Sequence, residues 1–179
     1  MTRVYFIRHG ESQANADGIL AGQNDSPLTD KGIQQARDEA QVIRDSGIVL
    51  DTIISSSLSR AYDTAVIIAT QNDFPVDKIV VIDDLQERYG GSFEGKPLAM
   101  LRAASTEEVT GAGAESFDDF AVRVRRANEH IARHRTGTTL IVAHAGFYRM
   151  AQALYRNLSP ADMPKMEDAK NGKLVEYPL

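Results

Sequence analysis

The sequence predicts an α/β protein, a three-layer αβα sandwich around a mostly parallel central sheet, on three observations. Short apolar runs that read as buried strands alternate along the chain with longer segments whose apolar residues recur every three or four positions. That alternation favours a sheet covered by helices on both faces. No repeat, long linker or second-domain signal divides the 179 residues, so one domain over 1–179 is expected.

The elements follow in order. Residues 4–7 form a first strand that runs into Arg8-His9-Gly10-Glu11-Ser12, and residues 20–27 are a polar, turn-rich loop. Thr29 reads as the N-cap of a helix burying Ile33, Ala36, Ala40 and Ile43, which Gly47 ends. A strand preference over 48–54 is broken by Ser55-Ser56-Ser57, and a second helix carries Arg60, Ala61, Ala65, Ile68 and Ala69. After Pro75, residues 79–82 read as a strand and 85–95 as a glycine-rich working loop. A short helix is expected over 98–104, then a mobile stretch with Gly111 and Gly113; residues 90–115 together make a short pocket-covering segment. From Ser116, residues Phe117, Phe120, Val124, Ala127 and Ile131 mark one face of a long helix. A central strand at 138–143, a helix at 147–155 and a closing strand at 173–177 complete the reading, with Phe147 and Tyr155 filling the interface between their helix and the sheet.

Composition bounds the function. The chain is 42% hydrophobic, enough for a substantial core, and its 20 basic against 25 acidic residues give a formal charge of −5. This balance argues against an extended nucleic-acid surface while allowing a small cationic pocket, so the expected partner is a small molecule. Without cysteine, disulfides, thiolate catalysis and sulfur-ligated metal are excluded. A first strand beginning almost at Met1 leaves no room for a signal segment, and no apolar run is long enough to span a membrane; a cytoplasmic enzyme is expected. Oligomeric state stays open, a homodimer included.

Parallel sheets bind ligands beyond the carboxyl ends of their strands. His9 follows the first strand, Arg60 the second, Glu87 the third and His144 the fourth, so topology is expected to bring them to one edge. A neutral imidazole is a good nucleophile toward phosphorus, and a backbone carbonyl near Gly10 accepting from the other ring nitrogen would select the useful tautomer of His9. Arg8 and Arg60 offer permanently charged planar forks for phosphate oxygens, with His144 and the Asn15 amide as further donors. Glu87 suits a proton carrier that first protonates the leaving oxygen and then activates water. Because arginines favour carboxylate, it must stand on the leaving-group side of the clamp.

These residues lie in a pattern that resembles the histidine phosphatase superfamily, the phosphoglycerate mutase-like fold, over nearly the whole chain. Arg8-His9-Gly10-Glu11-Ser12 with Asn15 resembles the family's opening, and Gly22, Asp25-Ser26-Pro27-Leu28-Thr29 and Gly32 continue it. Ser56-Ser57-Leu58-Ser59-Arg60-Ala61 with Thr64-Ala65 resembles the segment of the second arginine. Glu87 with Gly91, Glu94 and Gly95 resembles the acid-bearing loop, Glu115-Ser116 the start of the following helix, and Val142-Ala143-His144-Ala145-Gly146 the second-histidine motif. The resemblance implies that His9 is phosphorylated, that Arg8, Arg60 and His144 bind phosphate, and that Glu87 carries the proton. Ser12, Asn15, Gly22 and Tyr89 are placed on the substrate side of the pocket, and no cofactor or metal is expected.

The family contains mutases as well as phosphatases. The segment between Glu87 and His144 is short, and only Lys96 and Arg102 are basic between the loop and Ser116, which favours hydrolysis of a small phosphorylated metabolite. Arg88, directly after the glutamate, is a mutase-like feature; Phe93 and Gly90 depart from the usual phosphatase residues. Competing readings stand beside this one: a phosphoglycerate or phosphosugar mutase, a catalytically silent phosphate-ester binder, a metal centre of His9, His144 and Glu87 that the two arginines would oppose, and Glu94 or Glu115 as the acid in place of Glu87. Arg60 paired with Asp63, Asn15 supporting its own loop, and Gly10, Gly22 and Gly146 relieving only backbone constraints are the plain structural readings. His130 and His134 read as polar-face residues, and Arg123, Arg125, Arg126, Arg133 and Arg135 as a minor interaction face.

Overall fold

A computed structural model describes residues 2–178. Its sheet has the order β3-β2-β4-β1-β5. Strand β1 (Arg3–Arg8) pairs in parallel with β4 (Thr138–Ala143), which pairs in parallel with β2 (Thr52–Ser55), itself parallel to β3 (Val80–Val81). Only the edge strand β5 (Leu174–Glu176) runs antiparallel, against β1.

Helices cover both faces, because successive strand residues project to opposite sides. Phe6 and Ile141 pack into one core with Phe120, Val124 and Ile131 of α6 (Phe117–His134) and Phe147 and Met150 of α7 (Ala145–Tyr155). Their neighbours Ile7, Leu140 and Val142 enter the other, with Ala40 and Ile43 of α2 (Asp30–Asp45) and Ala61, Ala65 and Ile68 of α3 (Ser59–Gln71). The expected three-layer α/β sandwich is present.

Several expected elements shift. Strand β1 extends through residues 3–8 rather than 4–7. The second strand starts at Thr52 and keeps Ser55, whose hydroxyl is satisfied locally by the Ser56 carbonyl at 2.9 Å, so the serine run does not break it where expected. Strand β3 is reduced to two residues at the sheet edge. A four-residue helix α1 (Gln13–Ala16), too short for any periodicity, follows the opening motif. The stretch expected to be mobile after the helix α4 (Leu98–Ala103) instead forms α5 (Thr106–Gly111), whose start is fixed by a capping box between Ser105 and Glu108.

One close approach seats the opening motif. Side-chain carbons on Gly10 or Gly32 would overlap the Gly32 carbonyl or the Glu11 backbone respectively, so two glycines let the segment after β1 lie directly on the first turn of α2. Thr29, the N-cap of α2, adds a backbone N–H to the Glu11 carbonyl at 2.9 Å, and Gln35 accepts from the Glu11 N–H at 2.8 Å.

Candidate active site

The carboxyl ends of β1, β2 and β4 deliver the site. The ladder continues past the strands: the His9 N–H donates to the Ala143 carbonyl and the Ser56 N–H to the Val142 carbonyl, each at 3.0 Å. His9 and His144 therefore stand as neighbours, ring centroids 5.2 Å apart and planes inclined by 59°. Both are buried, at 4% and 0% exposure.

The rings are held in different ways. His9 Nδ1 lies 2.7 Å from the Gly10 carbonyl, an acceptor only, so Nδ1 carries the hydrogen and Nε2 keeps its lone pair. His144 Nε2 is 2.9 Å from the Ser56 hydroxyl, while its Nδ1 is buried with no hydrogen-bond partner among the described residues. Burial, then the nearby Arg60 and Arg8 guanidinium groups, hold His9 well below the usual imidazole range; burial, Arg60, His9 and Arg8 do the same to His144. Both rings are neutral at pH 7.

Arg60, in the first turn of α3, is 2% exposed and donates to the carbonyls of Gly22 (2.6 Å) and Asn24 (2.9 Å), not to Asp63. Gly22 has a φ of +55°, and a side chain there would overlap the Glu94 carboxylate, which accepts from the Gln23 and Gly90 N–H groups at 2.9 and 2.8 Å. The glycine thus admits both Arg60 and Glu94 to the same loop. Arg8 donates one N–H to the Ala169 carbonyl at 3.3 Å, and its Nε is buried without a hydrogen-bond partner among the described residues. Burial lowers the pKa of both arginines, opposed at Arg8 mainly by Asp168 and at Arg60 mainly by Glu87. They stay cationic at neutral pH.

Glu87 is gripped by main chain: its oxygens accept from the Arg88 N–H (2.8 Å) and the Gly146 N–H (3.0 Å) in the first turn of α7. Neither Arg8 nor Arg60 hydrogen-bonds to it; their partners among the described residues are backbone carbonyls. A Cβ on Gly146 would overlap Glu87 Oε1, so the second-histidine motif needs its glycine to seat this carboxylate.

Ser12 and Asn15 are joined to each other. Ser12 is wholly buried, its hydroxyl accepts from the Asn15 N–H, and its own N–H donates to Asn15 Oδ1 at 3.2 Å. The Ser12 hydroxyl is thus the N-cap of α1. Tyr89 is 42% exposed at the rim.

Other residues were not legible as site residues. Thr64 accepts from the Gly10 N–H (3.1 Å) and donates to the Arg60 carbonyl (2.7 Å), tying the two motifs together. Asn171 donates to the His9 carbonyl at 2.8 Å, from a segment with no chemical signature in the sequence. Arg123 turns inward to Glu115 and the Glu87 carbonyl, a correction to its assignment to an exposed basic face. Glu94 and Glu115, the alternative acids, are engaged in loop bridges of their own. No described helix is long and apolar enough to cross a membrane.

Residues 4–177 match the Histidine phosphatase superfamily (branch 1). The chain is 33% identical to the Metal-independent phosphoserine phosphatase of Arabidopsis thaliana over 90% of its own length and 70% of that protein's. It is 36% identical, over 80% of its length and 70% of the relative's, to the Probable phosphoglycerate mutase GpmB of Photorhabdus laumondii. Among solved structures, the alpha-ribazole phosphatase from Shigella flexneri superposes with a TM-score of 0.79 at 28% identity, covering 96% of this chain and 88% of that one. By this match and these relatives the chain belongs to branch 1 of the histidine phosphatase superfamily, and it is a hydrolase with general phosphomonoesterase activity.

Proposed function

We propose that the protein hydrolyses a small phosphorylated metabolite through a phosphohistidine at His9, with residues 1–179 as one catalytic domain and 90–115 as its cover. The observation that carries this reading is the neutral, oriented His9 ring, whose Nε2 lone pair stays free beside the buried Arg60 and the half-buried Arg8. Nε2 attacks phosphorus and the bond to the ester oxygen breaks, while Glu87 gives that oxygen its proton. Arg8, through its unpartnered Nε, and Arg60 balance the charge on the equatorial oxygens. With the Ser56 hydroxyl donating to Nε2, His144 carries its hydrogen on Nδ1 and offers it to phosphate.

Water then enters on the side the alcohol has left. Glu87 takes its proton, the oxygen attacks phosphorus, and the P–N bond returns its electron pair to His9. Each Glu87 oxygen accepts one N–H and keeps a second lone pair for this traffic. Asn15 uses only its side-chain carbonyl oxygen in capping, leaving its NH₂ for a phosphate oxygen; the Gly22 carbonyl holds Arg60, and the exposed Tyr89, two residues after Glu87, is assigned to the leaving group.

A mutase reading has in its favour relatives named as probable phosphoglycerate mutases and one mutase-like residue, Arg88. Arg88, however, donates its Nε to the Glu115 carbonyl at 2.7 Å and lies over the Phe117 ring at 4.3 Å, which supports an arginine that braces α6 rather than one that holds a second anion. A phosphate-release panel with wild type and His9→Ala in parallel is the test, with acid-labile phosphate on the protein measured after rapid quenching. Phosphate release and the labile adduct are both expected to disappear in His9→Ala. Undiminished turnover by that variant would remove the nucleophile assignment, and interconversion of 2- and 3-phosphoglycerate with little free phosphate would replace the hydrolase by a mutase.

A further inference from the structure

We infer that Arg123 and Glu115 are positioning residues for Glu87, acting together as a clamp on the backbone that carries the acid; the inference rests on the proton-carrier role proposed for Glu87. Strand β3 ends at Val81, and the chain from Asp84 to Tyr89 runs on without a strand partner. Its exposed backbone groups must be satisfied in another way.

Arg123 and Glu115 do this. All five N–H groups of the Arg123 guanidinium are used: two to the carbonyls of Asp84 (2.9 Å) and Gln86 (2.8 Å), one to the carbonyl of Glu87 (3.1 Å), and two in a fork on the Glu115 carboxylate (2.8 and 2.7 Å). Glu115 accepts in addition from the Tyr89 N–H at 3.2 Å, donates its own N–H to the Tyr89 carbonyl at 3.0 Å, and receives the Arg88 side chain on its carbonyl. The pair is mostly withdrawn from water, at 13% and 15% side-chain exposure, and Phe120 lies under the guanidinium at 4.7 Å.

The Gln86 and Glu87 carbonyls are therefore fixed to Arg123 of α6, and Arg88 to Glu115 just before the Ser116 cap of that helix, while the carboxylate itself is held, among the described residues, by two N–H groups. A planar fork with five donors sets this geometry; a lysine retains the charge but not the pattern. Displacement of about 1 Å at a reacting group is enough for a large rate loss.

The experiment separates proton delivery from the rest of the site by leaving group. An alkyl phosphate that the wild type hydrolyses, β-glycerol phosphate in the first instance, needs its oxygen protonated; 4-nitrophenyl phosphate releases a stable phenolate. kcat/KM reports the steps up to phosphoenzyme formation for both. In Arg123→Lys, the alkyl ester is expected to lose at least tenfold more than the aryl ester, as in Glu87→Gln. The double variant should lose little beyond Glu87→Gln alone, because both changes act on one proton transfer. Competitive inhibition by inorganic phosphate should stay within a few-fold of wild type.

Equal losses on the two esters in Arg123→Lys, or full additivity with Glu87→Gln, would overturn the inference. If Glu87→Gln loses both esters equally, the acid role itself fails and the clamp's purpose with it. If Glu87→Gln is selective and Arg123→Lys is not, only the clamp fails. Should Arg123→Lys not fold, Glu115→Gln removes one side of the same fork and is scored in the same way.

Discussion

Gly146 shows how a residue without chemistry sets the chemistry. Its missing side chain is the space in which Glu87 Oε1 accepts its place at the start of α7. Gly146→Ala would favour the helix slightly, and the atom in its way is the mobile end of a side chain, so the fold should lose less than about 1 kcal/mol. The carboxylate must move, however, and a decrease in kcat/KM on alkyl phosphates of about a hundredfold is expected. Steady-state kinetics and a urea titration of the same preparation check this; a variant with wild-type kcat/KM would show that the contact does not seat the acid. At this scale the candidates His9, Arg8 and His144 stood out as unusual residue types at the ends of β1 and β4, and Arg60 and Glu87 through motifs in the segments after β2 and β3. Arg123 was not legible, since in the sequence it is one arginine among five on a helix. Its partners depend on how α6 is rotated against an irregular loop, which no local pattern records. The capping role of Ser12 was hidden for the converse reason: a hydroxyl in a catalytic motif and a hydroxyl at a helix N-cap have the same sequence appearance.

Among the elements, the seating of the opening segment on α2 carries the tightest constraint. Alanine in place of glycine inside a helix ordinarily gains up to about 1 kcal/mol. At Gly32 the new carbon would overlap the Glu11 backbone, which cannot swing aside as a side chain can. Gly32→Ala is therefore expected to destabilise by about 2 kcal/mol net, read from the denaturation midpoint, and to weaken phosphate binding as the loop after β1 is lifted. A neutral or stabilised variant would contradict the close packing described for this joint. The long elements were legible from periodicity: α6 begins at its Ser116 cap and α7 buries Phe147 as expected, whereas Tyr155, expected in the same interface, is 60% exposed in the last turn of that helix. The short ones were not. Strand β3 owes its existence to pairing with β2 rather than to its own two residues, whereas α5 could have been found from its Ser105 and Glu108 box.

For the molecule as a whole, keeping two histidines dry and neutral has a cost that depends on pH. Unfolded, each ring binds a proton as pH falls below 6.5, whereas the folded rings, held well below that value, do not. The unfolded state then binds more protons, so stability falls on acidification from 6.5 toward the folded pKa and is unaffected by these groups above it. Each ring contributes a slope of up to about 1.4 kcal/mol per pH unit in that window. Urea midpoints between pH 7.5 and 5.5 in phosphate-free buffer should show this decline, with a shallower slope in His144→Gln; the same slope in the variant would mean that His144 is not held neutral. The parallel order of the sheet, legible from the alternation of strands and helices, is what gathers these rings at one edge. The antiparallel edge strand β5 brings a different consequence. Asn171 grips the carbonyl of His9, Ala169 receives Arg8, and the Gly172 N–H closes on the Arg8 carbonyl, while β4 supplies the other flank of β1. A ribosome makes His9 more than a hundred and sixty residues before the Asn171 that holds it. Until that stretch has emerged, the growing chain carries the proposed nucleophile without the frame that orients it.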